Sequence, residues 1–460
     1  MKNGGLIFFL WSIASMLCFG QGPSSVQFGK NRVQFHQKFE EWSQYETDNF
    51  TSYWYGESRF IGQAAAVLAE YDFKEVQNLL EHRMNNRIEI IVYSDLTDLK
   101  QNNIGAEEAF ENVQGQTKVV DNKIFVYFNG DHNHLRRQIR QGIAAVYLDA
   151  MLFGSNLQEI VQNAVLLHLP SWFKQGIVNY VGEEWNTTLD NQLRNVLLSE
   201  RFNNFEKFAR EEPQLAGHAL WYFIGTKYGK SNVSNLLYLT RINRSIESGF
   251  IYVLGSSYEK ITQNCLDYFT ERYQNETKTT TSPTGTALEF KNKRNTPINE
   301  VKISPNGQYL AFITNELGKA KVHVHHFPSK STNVIFKQGF RNVFQQTDYN
   351  HPQLAWSPNS LELAILYEKQ DKARLVRYDV SKKKSQEDDL TPNLQRVYSM
   401  EYVDPQTMVL SAASRGFSDI FLYFLNARMP QPITQDYFDD LDASVRAHWQ
   451  QRGIIWASNR

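Results

Sequence analysis

The sequence predicts an α+β domain followed by an all-β domain built from repeated short strands. In the first half, apolar residues recur at helical spacing between strand-like runs of β-branched and aromatic residues. In the second half, a turn followed by an apolar strand recurs at about the length of one four-stranded propeller blade. A polar segment at 276–295 separates these patterns and predicts a linker, so the two domains are expected at 31–275 and 296–460.

The first 22 residues have the shape of a secretory signal peptide. Lys2 supplies a positive charge, the run Leu6–Phe19 is mostly apolar, and small residues follow near Gly20. The apolar run is too short for a comfortable transmembrane helix. We expect cleavage near Gly20–Gly22 and a periplasmic or outer-membrane-associated protein, with lipidation at Cys18 as the alternative.

Cysteine count and charge narrow the class of protein further. Signal cleavage leaves Cys265 as the single cysteine of a 460-residue chain, which suits a bacterial envelope better than a eukaryotic secretory route. The formal net charge of −1 provides no basic excess for neutralising phosphates, so no nucleic-acid partner is expected. No later apolar stretch is long enough to span a membrane.

The elements of the first domain follow from periodicity. Strands are predicted at Ile88–Tyr93 and Lys123–Phe128, where β-branched and aromatic residues are concentrated. Helices are predicted at Phe60–Leu80 and over Leu135–Ala150, where apolar residues recur every three or four positions. Further helices are predicted around 172–181, 221–228 and 236–239.

The second domain contains four similar turn-and-strand units. Prolines at 305, 358 and 405 are 53 and 47 positions apart, which is about one blade length. Proline presets the backbone for the turn, and Asn-Gly supplies the positive φ needed between paired strands. The units are Ser304–Gly307 with Tyr309–Ile313, Ser357–Ser360 with Leu363–Tyr367, Val403–Gln406 with Met408–Leu410, and Gln450–Gly453 with Ile454–Ala457.

Residues 296–460 resemble the TolB-like, WD40-like propeller repeat. The resemblance rests on the Ser-Pro-Asn-Gly turn at 304–307 and on the strand ending Ser458–Arg460. It implies a β-propeller. Because a propeller closes on itself to hide its sheet edges, the expectation is a propeller that is incomplete at the C-terminus, with an open partial propeller as the alternative.

Residues 40–275 resemble the gluzincin-type, peptidase-MA-like metallopeptidases. The resemblance rests on Asn49–Trp54, on Ile88–Tyr93, on the segment LPSWFKQG at 169–176, and on Gly217–Ile224 followed by Tyr228 and Gly229. It implies a zincin-like α+β domain. In active relatives, a helix in the place of Leu135–Met151 carries H-E-x-x-H, and a W-x-x-E-G turn supplies the third zinc ligand.

The residues required for zinc chemistry are missing. Two histidines four apart and an intervening glutamate are needed to hold Zn²⁺ and polarise its water, but no two histidines of this chain are four apart. The corresponding helix has Arg140, Gln141 and Ala144 at these positions, and Gln175 replaces the third ligand. The sequence therefore predicts a pseudo-peptidase with no catalytic, cofactor-binding or metal-binding residues.

The remaining histidines are expected to be structural. His132 and His134 are predicted to be ordinary surface histidines of a loop, and His218 to pack at a helix start near Trp221. Residues 323 and 325, both histidines, alternate along one strand and should share a face. Without a third ligand, such a pair is more often structural than metal-binding.

The function expected from the sequence is a non-catalytic cell-envelope scaffold that binds protein partners. Large periplasmic proteins with TolB-like propellers accompany outer-membrane translocation, including type IX secretion, so this resemblance implies an accessory of such a translocon. The alternative is a secreted hydrolase whose catalytic residues lie outside this chain or in an unrecognised constellation. A Gly-x-Ser-x-Gly nucleophile motif is absent from the sequence.

Overall fold

A computed structural model provides the structure of the chain. The predicted signal peptide at 1–22 lies outside the residues it describes. Within the described part of the chain, no helix is both long enough and apolar enough to cross a bilayer. The described residues are 41–101, 116–154, 167–202, 204–281, 284–285, 288, 290, 296–342, 346–370, 372–390, 393–448 and 451–460.

The first half contains a five-stranded sheet in the order β1-β2-β3-β5-β4. Its three central strands β2, β3 and β5 are parallel, and the edge strands β1 and β4 are antiparallel to their neighbours. The strands predicted near 88 and 123 are confirmed. The strands are β1 Trp42–Glu46, β2 Phe50–Tyr55, β3 Ile88–Tyr93, β4 Lys118–Val120 and β5 Lys123–Tyr127.

Ten helices of the described chain surround and extend this sheet. All the helices that the periodicity predicted are confirmed, with shifted ends. The helices are α1 Arg59–Leu80, α2 Leu96–Leu99, α3 His132–Phe153, α4 Ser171–Gly182, α5 Thr187–Leu198, α6 Phe205–Glu211, α7 Pro213–Lys227, α8 Ser231–Asn243, α9 Ile246–Leu254 and α10 Tyr258–Thr277.

Glycines set the closest approaches in the helical core. A Cβ added to Gly142 of α3 would lie 2.2 Å from the Ile124 side chain, so α3 packs tightly on β5. A Cβ added to Gly176 of α4 would lie 2.4 Å from the Cα of Gly217 on α7. The glycine of the LPSWFKQG segment therefore allows two helix backbones to touch, while the preceding Trp172 and Phe173 are buried in the core.

The second half consists of three four-stranded antiparallel sheets and a hairpin. The repeat that the proline spacing predicted is thus confirmed as successive sheets of four strands, here named blades 1 to 3. Blade 1 contains β6 Ile298–Ile303, β7 Tyr309–Glu316, β8 Lys319–His326 and β9 Ser331–Gln338; blade 2 contains β10 Gln353–Trp356, β11 Glu362–Glu368, β12 Ala373–Asp379 and β13 Lys384–Asp389; blade 3 contains β14 Arg396–Asp404, β15 Thr407–Ser414, β16 Phe417–Phe424 and β17 Met429–Pro432; the hairpin contains β18 Asp440–His448 and β19 Gln451–Ser458.

The turn chemistry explains why the units repeat. In blade 1, Ser304 Oγ accepts the backbone N–H of Tyr309 at 2.9 Å. In blade 2, Ser357 Oγ accepts the backbone N–H of Glu362 at 3.2 Å in the same way. The turn of blade 2 also reaches the turn of blade 1, because Ser360 Oγ accepts the backbone N–H of Asn306 at 3.0 Å. The sequence signature therefore encodes both the turn and the contact between neighbouring blades.

Candidate functional site

The position that the peptidase resemblance assigns to the first zinc ligand is part of an ion-pair cluster. Arg140 Nη1 donates to Asp72 Oδ1 and to Glu75 Oε2, each at 2.8 Å. Arg136, one turn earlier on α3, donates to both oxygens of Asp72 at 2.6 Å. The Asp72 side chain is fully buried, so these two guanidinium groups neutralise a carboxylate inside the α1–α3 interface.

The position that the same resemblance assigns to the catalytic glutamate, Gln141, lies in a cluster of neutral side-chain amides. Gln141 Nε2 donates to Asn179 Oδ1 at 3.2 Å, and Gln116 Nε2 donates to the same oxygen at 2.9 Å. Gln116 also donates to the backbone oxygen of Gln175 at 2.7 Å. Amides have no negative charge with which to hold a zinc ion or take a proton from its water.

The two remaining positions add no ligand. Ala144 is buried in the core. Gln175 Oε1 is buried, and no described group hydrogen-bonds to it. The fold therefore places these positions on the contacting helices α3 and α4, where their side chains pack and hydrogen-bond.

His218 is buried in the core, but the prediction that it lies at a helix start is wrong, because α7 begins five residues earlier, at Pro213. It lies on α7 with its ring 5.3 Å from Trp185 and 6.3 Å from Tyr180, both measured between centroids. Burial lowers the pKa of His218 to about 3, so the ring is neutral at physiological pH. A neutral, aromatic-enclosed histidine serves packing in this position.

The prediction that His132 and His134 are surface residues of a loop is wrong. Asp131 caps α3 by accepting the backbone N–H of Asn133 at 2.8 Å, so both histidines lie in the first helical turn. Nδ1 of His132 lies 2.7 Å from Asp439 Oδ1 of the second half. Gln138 Nε2 lies 2.9 Å from Nδ1 of His134, and burial lowers the pKa of His134 to about 3.

His323 and His325 lie on one face of β8, as their spacing predicted. The ring of His323 stacks on Phe312 at a centroid distance of 4.7 Å, and its Nε2 lies 2.9 Å from Thr314 Oγ1. His325 Nδ1 lies 2.9 Å from Thr332 Oγ1. Each imidazole therefore has its own hydroxyl partner on a neighbouring strand.

Sequence reasoning missed a buried charged cluster at the ends of blades 2 and 3. Ligand atoms of Asp348, His351 and Glu368 lie within 4.8 Å of one another, a set that could hold a metal ion. Arg396 occupies the same place, because its Nη1 donates to Glu368 at 3.3 Å and its Nη2 donates to Asp348. No motif spacing announces this cluster, whose members come from three separate segments.

Arg396 provides the counter-charge of this cluster. Burial alone would raise the pKa of Asp348, but the Arg396 guanidinium holds that pKa well below its usual range. Likewise the pKa of Arg396 is well above its usual value, because Asp348 and Glu368 outweigh the effect of burial. The cluster is therefore an ion-pair network in which a guanidinium takes the place that a cation would have.

The same cluster joins the two halves of the protein. Thr97 Oγ1 in α2 donates to Glu368 Oε2 at 2.6 Å, and Gln346 Nε2 donates to the hydroxyl of Tyr127 at 3.3 Å. Burial lowers the pKa of Lys100, and the negative charge of Asp348 opposes this shift. Polar contacts from α2 and β5 thus end on blade 2 and on the segment before it.

A cleft of about 1410 Å³ lies beside this junction. One wall comes from the first half of the chain, at 55–60 and 94–98, and the other from blades 2 and 3 and the segment before the hairpin. Six carboxylates and two cationic groups belong to its described lining. The carboxylates are Glu57, Asp95, Asp98, Asp389, Asp419 and Asp436.

Three aromatic rings meet across the cleft. Phe60 of α1 lies 4.4 Å from Phe417 of β16, measured between ring centroids. Tyr437 lies 6.0 Å from Phe60 and 5.6 Å from Phe417 and is 78% exposed. An apolar contact surface contributed by both halves therefore adjoins the carboxylates.

Two carboxylates of the cleft differ in their surroundings. Asp98 accepts a hydrogen bond from the hydroxyl of Tyr55, which itself accepts the backbone N–H of Ser94 at 2.8 Å. Asp419 accepts a hydrogen bond from Thr434 Oγ1 at 3.2 Å. Burial raises the pKa of Asp419 to about 6, and the negative charges of Asp436 and Asp440 add to this shift.

Comparison with known proteins identifies no family. No model of a known protein family matches the sequence. No curated protein matches it either. The fold and the site therefore define a class only in structural terms, as a helix-rich α+β domain packed on antiparallel four-stranded blades.

Solved structures similar to part of the chain are propeller proteins. TolB from Acinetobacter baumannii is 12% identical, with a TM-score of 0.27, and the match covers 35% of this chain and 41% of that one. A putative TolB from Agrobacterium tumefaciens is 17% identical, with a TM-score of 0.26, and the match covers 32% and 49%. The β-propeller domain of the trilobed protease from Pyrococcus furiosus is 8% identical, with a TM-score of 0.25, and the match covers 35% and 53%. This chain thus spans about half the length of these structures or less.

Proposed function

We propose that this protein is a non-catalytic binding platform, in which a pseudo-peptidase domain of gluzincin type is joined to the blades of a TolB-like propeller. One observation carries the proposal. The positions that zinc chemistry would use contain Arg140, Gln141, Ala144 and Gln175, and these residues are engaged in ion pairs, amide hydrogen bonds and core packing. None of these four described side chains is a carboxylate, an imidazole or a thiol, so none of them can activate a nucleophile.

The proposed location is the periplasm or the periplasmic face of the outer membrane. The predicted signal peptide supports export, and the formal net charge of −1 disfavours nucleic acid as a partner. We propose protein partners, and among them a component of an outer-membrane translocation system. The support for this last step is the sequence resemblance to periplasmic TolB-like proteins, which is a fold-level analogy.

Metal content and peptidase activity test the proposal directly. The purified mature chain should contain no stoichiometric zinc by elemental analysis after dialysis against zinc, and it should leave casein intact. A chain with Arg140→His, Gln141→Glu, Ala144→His and Gln175→Glu tests the placement of the site. If these are the ligand and base positions of a gluzincin-type site and this variant folds, it should bind zinc more tightly than the natural chain.

The outcome that overturns the proposal is bound zinc together with casein cleavage in the natural chain. Cleavage without zinc would favour the alternative, a secreted hydrolase with an unrecognised constellation. Circular dichroism of the fourfold variant supplies the control, because loss of helical signal would explain a failure to bind zinc. A further variant contains Arg140→His, Gln141→Glu and Ala144→His but keeps Gln175. If this folded variant binds zinc as tightly as the fourfold variant, the third ligand is not at position 175.

A further inference from the structure

We propose that the cleft between the two halves binds an extended peptide segment in which an arginine or lysine adjoins an apolar residue. This inference rests on the proposed function as a protein-binding platform and names the chemistry of the partner. Both halves of the chain supply walls of the cleft. Its volume of about 1410 Å³ is large enough for several side chains of a peptide.

Charge complementarity selects a basic occupant. Six carboxylates line the cleft, against the two cations Lys372 and Arg415 of the lining, and Asp389 and Asp436 also pair with Arg374 and Arg460. Six carboxylates against these four cations leave two negative charges in excess. The whole chain carries a formal charge of only −1, so this excess of negative charge is local to the cleft. A basic segment would be attracted to it, and an acidic segment of the same length would be repelled.

Asp419 is the carboxylate best placed to hold the basic side chain. It lies on β16 with only 4% of its surface exposed, and its hydrogen-bond donors are two neutral groups, the hydroxyl of Thr434 and a backbone N–H of Asp436. By contrast, Asp436 already pairs with Arg460, and Asp389 pairs with Arg374 at 3.4 Å. A guanidinium in the cleft would therefore supply Asp419 with a counter-ion.

The aromatic rings beside Asp419 favour a peptide in which an apolar side chain follows the basic one. Phe417 and Asp419 are two residues apart on β16, so their side chains emerge on the same face of the strand. A guanidinium bound to Asp419 can stack against an aromatic face, a contact that favours arginine over lysine. The partly exposed rings of Phe60 and Tyr437 offer apolar area for the next side chain of the peptide.

A titration of fluorescein-labelled peptides by fluorescence anisotropy tests the inference. The probes are an octapeptide of alternating arginine and leucine and a matched octapeptide of alternating glutamate and leucine. We expect the arginine peptide to bind and the glutamate peptide to bind at least about tenfold more weakly. The reason is that the carboxylates of the cleft attract the arginine side chains and repel the glutamate side chains. Equal binding of both peptides would overturn the inference.

Two substitutions locate the binding site. Asp419→Asn keeps the acceptor for Thr434 and removes the charge, and we expect about a tenfold loss of affinity for the arginine peptide. Asp267→Asn removes a carboxylate on α10 away from the cleft and should change the affinity less than about twofold. Unchanged binding by Asp419→Asn would overturn the inference. Thermal unfolding of both variants confirms that they are folded.

Failure of the cleft inference can be distinguished from failure of the proposed function. A chain that lacks zinc, leaves casein intact and ignores the arginine peptide contradicts only the cleft inference. A chain that holds zinc and cleaves casein contradicts the platform, whatever the peptide titration gives.

Discussion

At the scale of single residues, Asp72 shows how an ion-pair cluster holds the α1–α3 interface together. Its side chain is fully buried and receives hydrogen bonds from Arg136 and Arg140. We expect Asp72→Asn to lower the free energy of unfolding by about 3 kcal/mol, because it leaves partly buried guanidinium charge uncompensated. Urea unfolding followed by circular dichroism measures the change.

The matched control for Asp72 is an exposed ion pair. Glu46 and Arg87 form a salt bridge at 3.1 Å, with about half of each side chain exposed. Glu46→Gln should therefore cost less than about 1 kcal/mol. If Asp72→Asn cost no more than this control, the buried cluster would not stabilise the α1–α3 interface.

At this scale, the sequence was sufficient to predict that the residues needed for zinc chemistry are missing. The absence of paired histidines and the glutamine at 175 followed from the sequence alone. The contacts that the replacing residues make could not be predicted. Asp72 lies 68 positions before Arg140, and no local pattern connects two residues that meet only when α1 packs on α3.

At the scale of elements, the crossing of α4 and α7 depends on two glycines. A Cβ at Gly176 would lie 2.4 Å from the Cα of Gly217, and backbone cannot move aside as a flexible side chain can. We expect Gly176→Ala to lower the free energy of unfolding by about 3 kcal/mol, since overpacking outweighs the gain in helix propensity. Chemical unfolding measures it.

Gly453→Ala serves as the control for Gly176. Apart from its two chain neighbours, no atom of the described residues lies within 4 Å of the position that its Cβ would take. We expect this substitution to change the free energy of unfolding by about 0.5 kcal/mol or less. Equal effects of the two substitutions would show that the helix crossing tolerates a methyl group.

The contact between blades 1 and 2 should depend on pH. Glu300 on β6 accepts the backbone N–H of Leu354 at 2.9 Å, and burial raises the pKa of Glu300 to about 7. Because the folded state then binds the proton more tightly than the unfolded state, stability is lost as pH rises from the unfolded value near 4.5 through about 7. Glu300→Gln removes this titration.

The measurement compares urea midpoints of the natural chain and Glu300→Gln from pH 4.5 to 8. We expect the variant to gain stability relative to the natural chain as pH rises, because glutamine can still accept the N–H of Leu354. Parallel curves would contradict the raised pKa of Glu300.

Elements with strong periodicity could be predicted, and weakly patterned ones could not. The apolar runs at 88–93 and 123–127 and the repeated proline turns became strands and blades. Strand β1 was not predicted because all five of its residues are exposed, so no alternation of apolar and polar residues marks it. Its place is set by pairing with β2.

At the scale of the whole molecule, Arg396 connects blades 2 and 3 at the junction with the N-terminal half. The residue is 2% exposed and donates to Asp348 and Glu368. We expect Arg396→Met to lower the free energy of unfolding by about 4 kcal/mol, because two carboxylates that are only 15% and 11% exposed lose their counter-charge. Urea unfolding measures the change.

Two further variants make this prediction specific. Arg428→Met removes an arginine that is 58% exposed and pairs with Asp388, and it should cost less than about 1 kcal/mol. Adding Asp348→Asn to Arg396→Met should recover part of the loss, since one uncompensated charge disappears. Strict additivity of the two substitutions would show that Arg396 and Asp348 do not interact.

The arrangement of the two halves lies beyond what the sequence could predict. Domain order, blade length and turn chemistry are local properties, and the sequence contains them. The cleft forms where residues near 57 and 95 meet residues near 419 and 437, and the Thr97–Glu368 hydrogen bond joins positions 271 apart. Such contacts form only when the two folded halves pack against each other.

The three rings Phe60, Phe417 and Tyr437 come from both halves of the chain. A ligand in contact with all three rings would therefore stabilise the contact between the two halves. By mass action it would favour the docked arrangement by the same free energy with which docking favours the ligand. Ligand binding and the docking of the two halves are then linked in one thermodynamic cycle, so a substitution that weakens docking should also weaken binding.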